Sequence, residues 1–333
     1  MGGSPVNSSD MRSYYERHDY FGGDSYYYRG SSIKTTPKRS VADASQVFTE
    51  TKMRDEFNPA KIKLPREACD SAASPKSRGI ILAEDVTGST GKFLLELIQK
   101  QIPKIIENIY EIVSYNPHIL CMGIGDVAAG DEAPLQVTQF ETDLRIIEQL
   151  TKIWLEKCGG GNSYESYILA WYFAAKYCKM DCYDKRGEKG FLFTFGDEEP
   201  TPELTPAELK YVFGKREDLD TRRVTATDCL DMASEKFYCY HIILRGYNYT
   251  RETARKWHEL MDGHFCDLSD YKCLPELVCA ILKMYEGYSK TDVINGIQDS
   301  YVRGVVTDAL KFHEEHVVDV SKKAENDQEI EIF

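Results

Sequence analysis

The sequence predicts an α/β protein built on a doubly wound, mainly parallel, Rossmann-like sheet. Short apolar runs alternate along the chain with longer segments in which apolar residues recur every three or four positions. The first pattern is typical of strands and the second of helices that pack against a sheet. The strongest runs are apolar at successive rather than alternate positions, which is typical of parallel strands covered on both faces.

The predicted strands are separated by helical patterns. The first strand is residues 79–83, and its apolar run ends abruptly at Asp85. Residues 118–124 form a second buried strand. Residues 135–140 alternate more and are shorter, so they are predicted to be an antiparallel edge strand. The remaining predicted strands are 191–195, 240–244 and 265–268.

The helical patterns place an apolar stripe on one side of each predicted helix. The longest follows the first strand over residues 89–113, and Pro103 is predicted to kink it. Residues 290–316 also have a helical pattern, in one or two segments. The other predicted helices are 142–157, 164–178, 252–261 and 274–285.

Composition limits the class of protein. The chain has 333 residues, with 41 basic and 54 acidic side chains and a formal charge of -13, which disfavours a general nucleic-acid or anionic-membrane binder. Its ten cysteines include no Cys-x-x-Cys pair and lie mostly in apolar stretches, as expected of free thiols in a reducing compartment. No apolar run reaches the length of a membrane span. These features predict a cytoplasmic protein of cellular or viral origin.

Four regions are expected from the change of composition along the chain. Residues 1–60 are predicted to be a flexible, Tyr-rich arm that docks on its own domain or on a neighbouring subunit of a homo-oligomer. Residues 61–77 form a linker, and residues 78–288 the α/β domain. Residues 289–333 are expected to be a helical extension with an acidic tail.

The loop after the first strand contains a candidate metal site. Asp85, Thr87 and Ser89 alternate with other residues, so their oxygens can converge if the loop curls as one turn. Ligands in open α/β sheets bind beyond the carboxyl ends of the strands. Carboxylate and hydroxyl oxygens suit a small, hard cation such as Mg²⁺.

Two further loops follow core elements in the same way. Residues 159–163 join a triple glycine to two polar side chains, and Asp197 follows the strand at 191–195. Together with the order of strands and helices, the three loops resemble the von Willebrand factor A (VWA) domain family and its metal-ion-dependent adhesion site (MIDAS). The Asp-x-Thr-x-Ser sequence that begins at Asp85 matches the family's first loop. The resemblance covers about residues 78–288.

Within the family, the chain is most similar to an intracellular branch, in Gly125-Asp126, in residues 159–165 and in residues 197–200. It departs from that branch in the second loop. The threonine expected there falls on Gly161 or Asn162, and Asn162 stands where this branch often has an aspartate. Asn162 and Ser163 are therefore the candidate ligands from that loop, directly or through water.

The resemblance implies a non-catalytic, metal-dependent module that binds proteins. Thr87 and Ser89 would coordinate Mg²⁺ or Mn²⁺, Asp85 would bind the ion or anchor the network, and Asp197 would bind from the opposite rim through water. An open position on the ion would accept an acidic side chain of a partner protein. AAA+ ATPases and multiprotein assemblies are the partner classes that the resemblance implies.

Three other interpretations compete with this one. In the first, Asp85, Thr87 and Ser89 form only a turn and an N-cap for the following helix, which leaves a structural or assembly protein whose arms make the contacts. A phosphate-binding loop fails because Val86 and Phe93 occupy the positions of its first glycine and its hydroxyl. A magnesium phosphatase with an aspartyl nucleophile would need a second aspartate at position 87.

Overall fold

A six-stranded sheet forms the centre of the molecule, and five of its strands are parallel. The computed structural model describes residues 50–87, 96–143, 145–155, 162–245 and 249–313. The strands of the sheet are β1 (Ser77–Asp85), β2 (Asn116–Ile124), β3 (Leu135–Val137), β4 (Gly190–Gly196), β5 (Phe237–Leu244) and β6 (Phe265–Leu268).

The spatial order of the strands is β3-β2-β1-β4-β5-β6, with β3 antiparallel at one edge. This order confirms the predicted doubly wound sheet and its antiparallel edge strand. The direction of winding reverses between β1 and β4, which are paired in parallel from Ile80 opposite Phe191 to Glu84 opposite Phe195. A crevice at the carboxyl ends of the strands is expected at such a reversal.

Helices cover both faces of the sheet. Their bounds are α1 (Ile102–Ile112), α2 (Arg145–Leu150), α3 (Ile168–Tyr177), α4 (Asp181–Arg186), α5 (Pro206–Phe213), α6 (Ala226–Ser234), α7 (Arg251–Met261), α8 (Leu274–Tyr285), α9 (Lys290–Gly296) and α10 (Ser300–Ala309). Alternate residues of β1 enter two separate cores. Ile80 and Leu82 pack with α1 and α8, whereas Ile81 and Ala83 pack with α3.

Short two-stranded pairs tie the connections to this framework. Their members are Arg66–Ala68 with Cys178–Met180, Glu203–Leu204 with Val224–Thr225, and Tyr164–Glu165 with Glu199–Pro200. The last pair is parallel and lies at the carboxyl end of the sheet, beyond β4. This pairing therefore places Tyr164–Glu165, the segment before α3, beside the crevice.

The helix after β1 differs from its prediction. Within the described residues it begins as a π-helical segment, Leu97–Gln101, and becomes α-helical at Ile102. Pro103 is the second residue of α1, directly after the π-helical segment, and it cannot donate a backbone hydrogen bond to the preceding turn. The irregularity expected at Pro103 is therefore a change of helix type just before it.

The predicted helix over 164–178 starts later than expected, at Ile168, because Tyr164–Glu165 is paired as a strand. The apolar periodicity did not predict α5 and α6. Their first residues nevertheless contain a sequence signal for the start of a helix. Thr205 and Thr225 each form a capping box, with Glu208 and Asp228 respectively.

Residues 290–313 pack onto the core. Val293, Val305, Val306 and Leu310 are buried in the same cluster as α1 and α8. At the other end of the described chain, the Phe57 ring is buried, and its carbonyl accepts a hydrogen bond from the N–H of Val137 on the edge strand. In the described part of the chain, no helix has both the length and the apolar character needed to cross a membrane.

Candidate functional site

The crevice between β1 and β4 contains two buried aspartates. Asp85 is the last residue of β1, and Asp197 follows directly after β4. Their exposed fractions are 2% and 0%. The pairing of the two strands therefore brings together the two carboxylates that the sequence had assigned to one site.

Asp85 is held by the residue two positions further on. The N–H and the hydroxyl of Thr87 both donate to Asp85 Oδ1, at 2.8 and 2.6 Å. This local turn satisfies one carboxylate oxygen. The other, Oδ2, faces the hydroxyl of Tyr167 at the longer distance of 3.5 Å. Asp85 thus has one oxygen fixed by its own loop and one turned toward the crevice.

Glu165 is a further acidic residue in the crevice that the sequence interpretation did not select as a ligand. The Glu165 carbonyl accepts hydrogen bonds from the N–H and the hydroxyl of Thr201, both at 3.1 Å. The side chain is buried, with an exposed fraction of 3%. Among the described residues, its Oε2 atom has no hydrogen-bond partner. A buried carboxylate oxygen without a partner is costly, and it often marks a missing water or ion.

The electrostatics of the crevice reflect a concentration of acids. Burial and the charge of Asp197, opposed by the hydrogen bonds from Thr87, together raise the pKa of Asp85 to about 7. Burial also raises the pKa of Glu165, to about 11, with added effects from Asp85, Glu198 and Asp126. The charged neighbours with the largest effects on both groups are acids. A bound cation would reverse this repulsion.

The two candidate ligands of the second loop lie at the edge of the crevice, and both are exposed. The Asn162 amide donates to Asp126 Oδ2 at 2.5 Å, and its oxygen accepts from the N–H of Tyr164 at 3.1 Å. The Ser163 carbonyl accepts from the N–H of Glu199 at 3.2 Å. The hydrogen bonds of Asn162 are thus directed to Asp126 and to its own loop. Ser89 and the triple glycine lie outside the described residues.

An aromatic group forms the floor of the crevice. Tyr167 lies just before α3, and its ring makes edge contacts with His241 on β5 and Trp257 on α7, with centroid distances of 4.9 and 5.4 Å. The Trp257 indole N–H donates to the Glu198 carbonyl at 2.8 Å. Helix α7 is therefore attached to the loop that contains Asp197.

The rim has one basic side chain in an ion pair. Lys256 on α7 is 2.5 Å from Glu199, with exposed side-chain fractions of 39% and 10%. No three His, Cys, Asp or Glu side chains are arranged as a metal-binding group in the parts of the chain that the structure describes. A metal at this crevice would therefore depend on hydroxyl and water oxygens as well as on carboxylates.

Comparison with known proteins adds structural neighbours only. Neither a protein-family model nor a curated protein matches the sequence. The pilus adhesin SpaC from Lactobacillus rhamnosus GG, in its open conformation, is similar with a TM-score of 0.43 and 10% sequence identity. The match covers 66% of this chain and 30% of the adhesin. A second structure of SpaC gives a TM-score of 0.42 and 11% identity over the same shares.

Proposed function

We propose that this chain is a metal-dependent protein-binding module of the VWA type, in which Mg²⁺ or Mn²⁺ at the β1–β4 crevice engages a carboxylate of a partner protein. The observation that carries the proposal is the buried Oε2 of Glu165, which has no hydrogen-bond partner among the described residues. It lies in a crevice where burial and the neighbouring acids raise the pKa of both Asp85 and Glu165. A cation stabilises the charged form of buried carboxyl groups that lie close to one another.

The available side chains fit a small, hard cation. Asp85 and Glu165 supply carboxylate oxygens, and Thr87 supplies a hydroxyl oxygen. Mg²⁺ takes about six oxygens and usually keeps several waters, so an incomplete set of protein ligands is normal for it. Asp197 would hold the ion through water. Ser89 and either Asn162 or Ser163 are the proposed ligands from the other loops.

The same charges explain why partner binding would require the metal. Without a cation, Asp85, Asp197 and Glu198 repel an incoming carboxylate. With a divalent ion and an open coordination position, the partner's carboxylate oxygen completes the coordination and the repulsion is offset. The rim ion pair of Lys256 and Glu199 would then lie beside the bound acid, where Lys256 can approach it. An AAA+ ATPase or a multiprotein assembly remains the proposed class of partner.

The decisive experiment is calorimetric titration of Mg²⁺ and Mn²⁺ into the metal-free protein. We expect saturable binding in the wild type and a loss of at least about tenfold in affinity for both Asp85→Ala, which removes a ligand, and Glu165→Gln, which removes a negative charge. Asp231→Ala is the matched control, since Asp231 is exposed on α6. Equal heats for the wild type and Asp85→Ala would overturn the proposal.

A second candidate function is an assembly protein in which the fold is structural and the terminal arms make subunit contacts. The absence of a ready three-ligand group in the described chain favours it. The two candidates differ in a capture experiment, with the full-length chain as bait and Mg²⁺ replaced by EDTA. A partner retained only with Mg²⁺, and lost with Asp85→Ala, supports the first candidate. A partner that is captured equally well in EDTA and by Asp85→Ala supports the second candidate.

A further inference from the structure

The Tyr167 hydroxyl lies between the ends of the two strands that bound the crevice. It is 3.5 Å from Asp85 Oδ2, and it accepts from the N–H of Glu198 at 3.5 Å. Both distances are at the outer limit of hydrogen bonding. The hydroxyl is therefore centred between β1 and the loop after β4, with room to shorten either contact.

Gly196 makes this position possible. A Cβ atom at Gly196 would be 1.8 Å from the Tyr167 hydroxyl oxygen and 2.5 Å from the ring carbon that carries it. The last residue of β4 must therefore lack a side chain for the hydroxyl to reach Asp85. The Tyr167 hydroxyl occupies the space that a side chain at Gly196 would fill.

The ring of Tyr167 has no freedom to follow Asp85. It is fully buried, and His241 and Trp257 contact it with interplanar angles of 69° and 68°. Trp257 is itself fixed by its hydrogen bond to Glu198. A residue locked in this way holds its neighbour in one orientation, as a rigid supporting group does in a designed site.

We propose that Tyr167 is a positioning residue that sets the selectivity of the crevice for a small, octahedrally coordinated cation over a larger one. This inference rests on the proposed metal site. The Tyr167 hydroxyl restricts rotation of the Asp85 carboxylate, whose Oδ1 is already held by Thr87. A carboxylate that is anchored at Oδ1 and limited in its rotation at Oδ2 presents one oxygen to the ion and resists bidentate coordination.

Ion size converts this restriction into selectivity. Mg²⁺ requires near-octahedral geometry at about 2.0–2.1 Å, whereas Ca²⁺ accepts about six to eight oxygens at roughly 2.3–2.6 Å, including bidentate carboxylates. A fixed, monodentate Asp85 suits Mg²⁺. Without the hydroxyl, Asp85 can turn, so the geometry for Mg²⁺ is lost while Ca²⁺ is still accommodated.

The test is competitive titration of Mg²⁺ and Ca²⁺ into metal-free wild type and Tyr167→Phe. We expect the Mg²⁺ affinity of the variant to fall by about tenfold, as is usual when an outer partner of a metal ligand is removed. The Ca²⁺ affinity should change by less than about threefold, because Ca²⁺ tolerates a mobile carboxylate. The ratio of the two affinities is the readout, since a general loss of structure would lower both.

Tyr115→Phe is the matched control. The Tyr115 hydroxyl is buried and has no hydrogen-bond partner among the described residues, and it lies just before β2, at the opposite end of the sheet. Its removal should leave both affinities unchanged. Thermal unfolding of all three proteins in EDTA verifies that each is folded before metal is added.

The outcomes separate this inference from the proposed function. If the wild type binds Mg²⁺ but Tyr167→Phe keeps the wild-type ratio of Mg²⁺ to Ca²⁺ affinity, the positioning role is wrong and the metal site stands. If the wild type binds neither ion, the proposed site and the role of Tyr167 both fail.

Discussion

The imidazole of His241 lies parallel to the indole of Trp257, with ring centroids 3.4 Å apart and planes 5° apart. The Thr194 hydroxyl donates to the Tyr240 carbonyl at 3.2 Å, so it must accept the 2.8 Å hydrogen bond from the Nδ1–H of His241. Nε2 is then unprotonated, and it has no partner within the described residues. Burial alone keeps the pKa of His241 well below its ordinary value.

This neutral histidine predicts a specific acid sensitivity. The unfolded chain protonates His241 near pH 6.5 and the folded chain does not, so its contribution is fully present above pH 6.5 and is lost as pH falls below it. The expected slope is about 1.4 kcal/mol per pH unit for one proton. Urea unfolding of wild type and His241→Gln at pH 7.5, 6.5 and 5.5 isolates the contribution of this residue.

In that comparison, the stability difference between the two proteins should shrink as the pH falls. The subtraction removes the contribution of His118, whose pKa burial lowers to about 4. A difference that stays constant across the three pH values would mean that folded His241 takes up a proton as easily as the unfolded chain does.

Asp85 should show the opposite pH dependence in the absence of metal. Its folded pKa of about 7 lies above the ordinary pKa of an aspartate, so the folded state is favoured at low pH and this advantage is lost as pH rises through 7. Asp85→Asn removes the buried charge while its Oδ1 can still accept from Thr87. We expect the variant to be more stable than wild type by about 2 kcal/mol at pH 8 in EDTA.

Addition of Mg²⁺ should reverse this order. The free energy of unfolding of the wild type should rise in proportion to the logarithm of the Mg²⁺ concentration, and that of Asp85→Asn should not. Denaturant melts at pH 8 and pH 5.5, with EDTA and with Mg²⁺, give the four values needed for each protein. A variant that is less stable than wild type in EDTA at pH 8 would show that the Asp85 charge is already compensated by the protein.

The sequence predicts the strands that bound this crevice more clearly than it predicts the side chains that lie in it. Asp85 and Asp197 were predictable as neighbours because each follows an unambiguous apolar strand, and the ends of parallel strands meet. Glu165 was not selected as a ligand, because a two-residue strand such as Tyr164–Glu165 has no periodicity that would place its side chain in the crevice. The contact of Tyr167 with Gly196 joins residues that are far apart in the sequence, and no local pattern encodes it.

Gly196→Ala should disturb the crevice from the side of β4. The added methyl group would overlap the Tyr167 hydroxyl, and the ring cannot retreat between His241 and Trp257. Overpacking of this kind costs about 1–3 kcal/mol. Unfolding in EDTA measures this cost, and Mg²⁺ titration should reveal weaker binding because Asp85 is displaced.

Gly296→Ala is the control for this substitution, since a Cβ there meets no atom within 4 Å. It should change neither stability nor Mg²⁺ affinity. If Gly196→Ala were as stable as the control, the close approach of Tyr167 to β4 would be incorrect.

The helices after residue 289 should be indispensable to the fold. Val306 and Leu310 are fully buried with α1 and α8, and the Lys290 ammonium donates to the Leu310 carbonyl at 2.6 Å. Burial of each such apolar side chain is worth about 2 kcal/mol, and the whole stability of a protein is only about 5–15 kcal/mol. A chain that ends at residue 288 should therefore fail to unfold cooperatively, in contrast to the full-length protein. Circular dichroism melts of the two chains measure this directly, and a cooperative transition in the shorter one would mean that 78–288 is an independent unit.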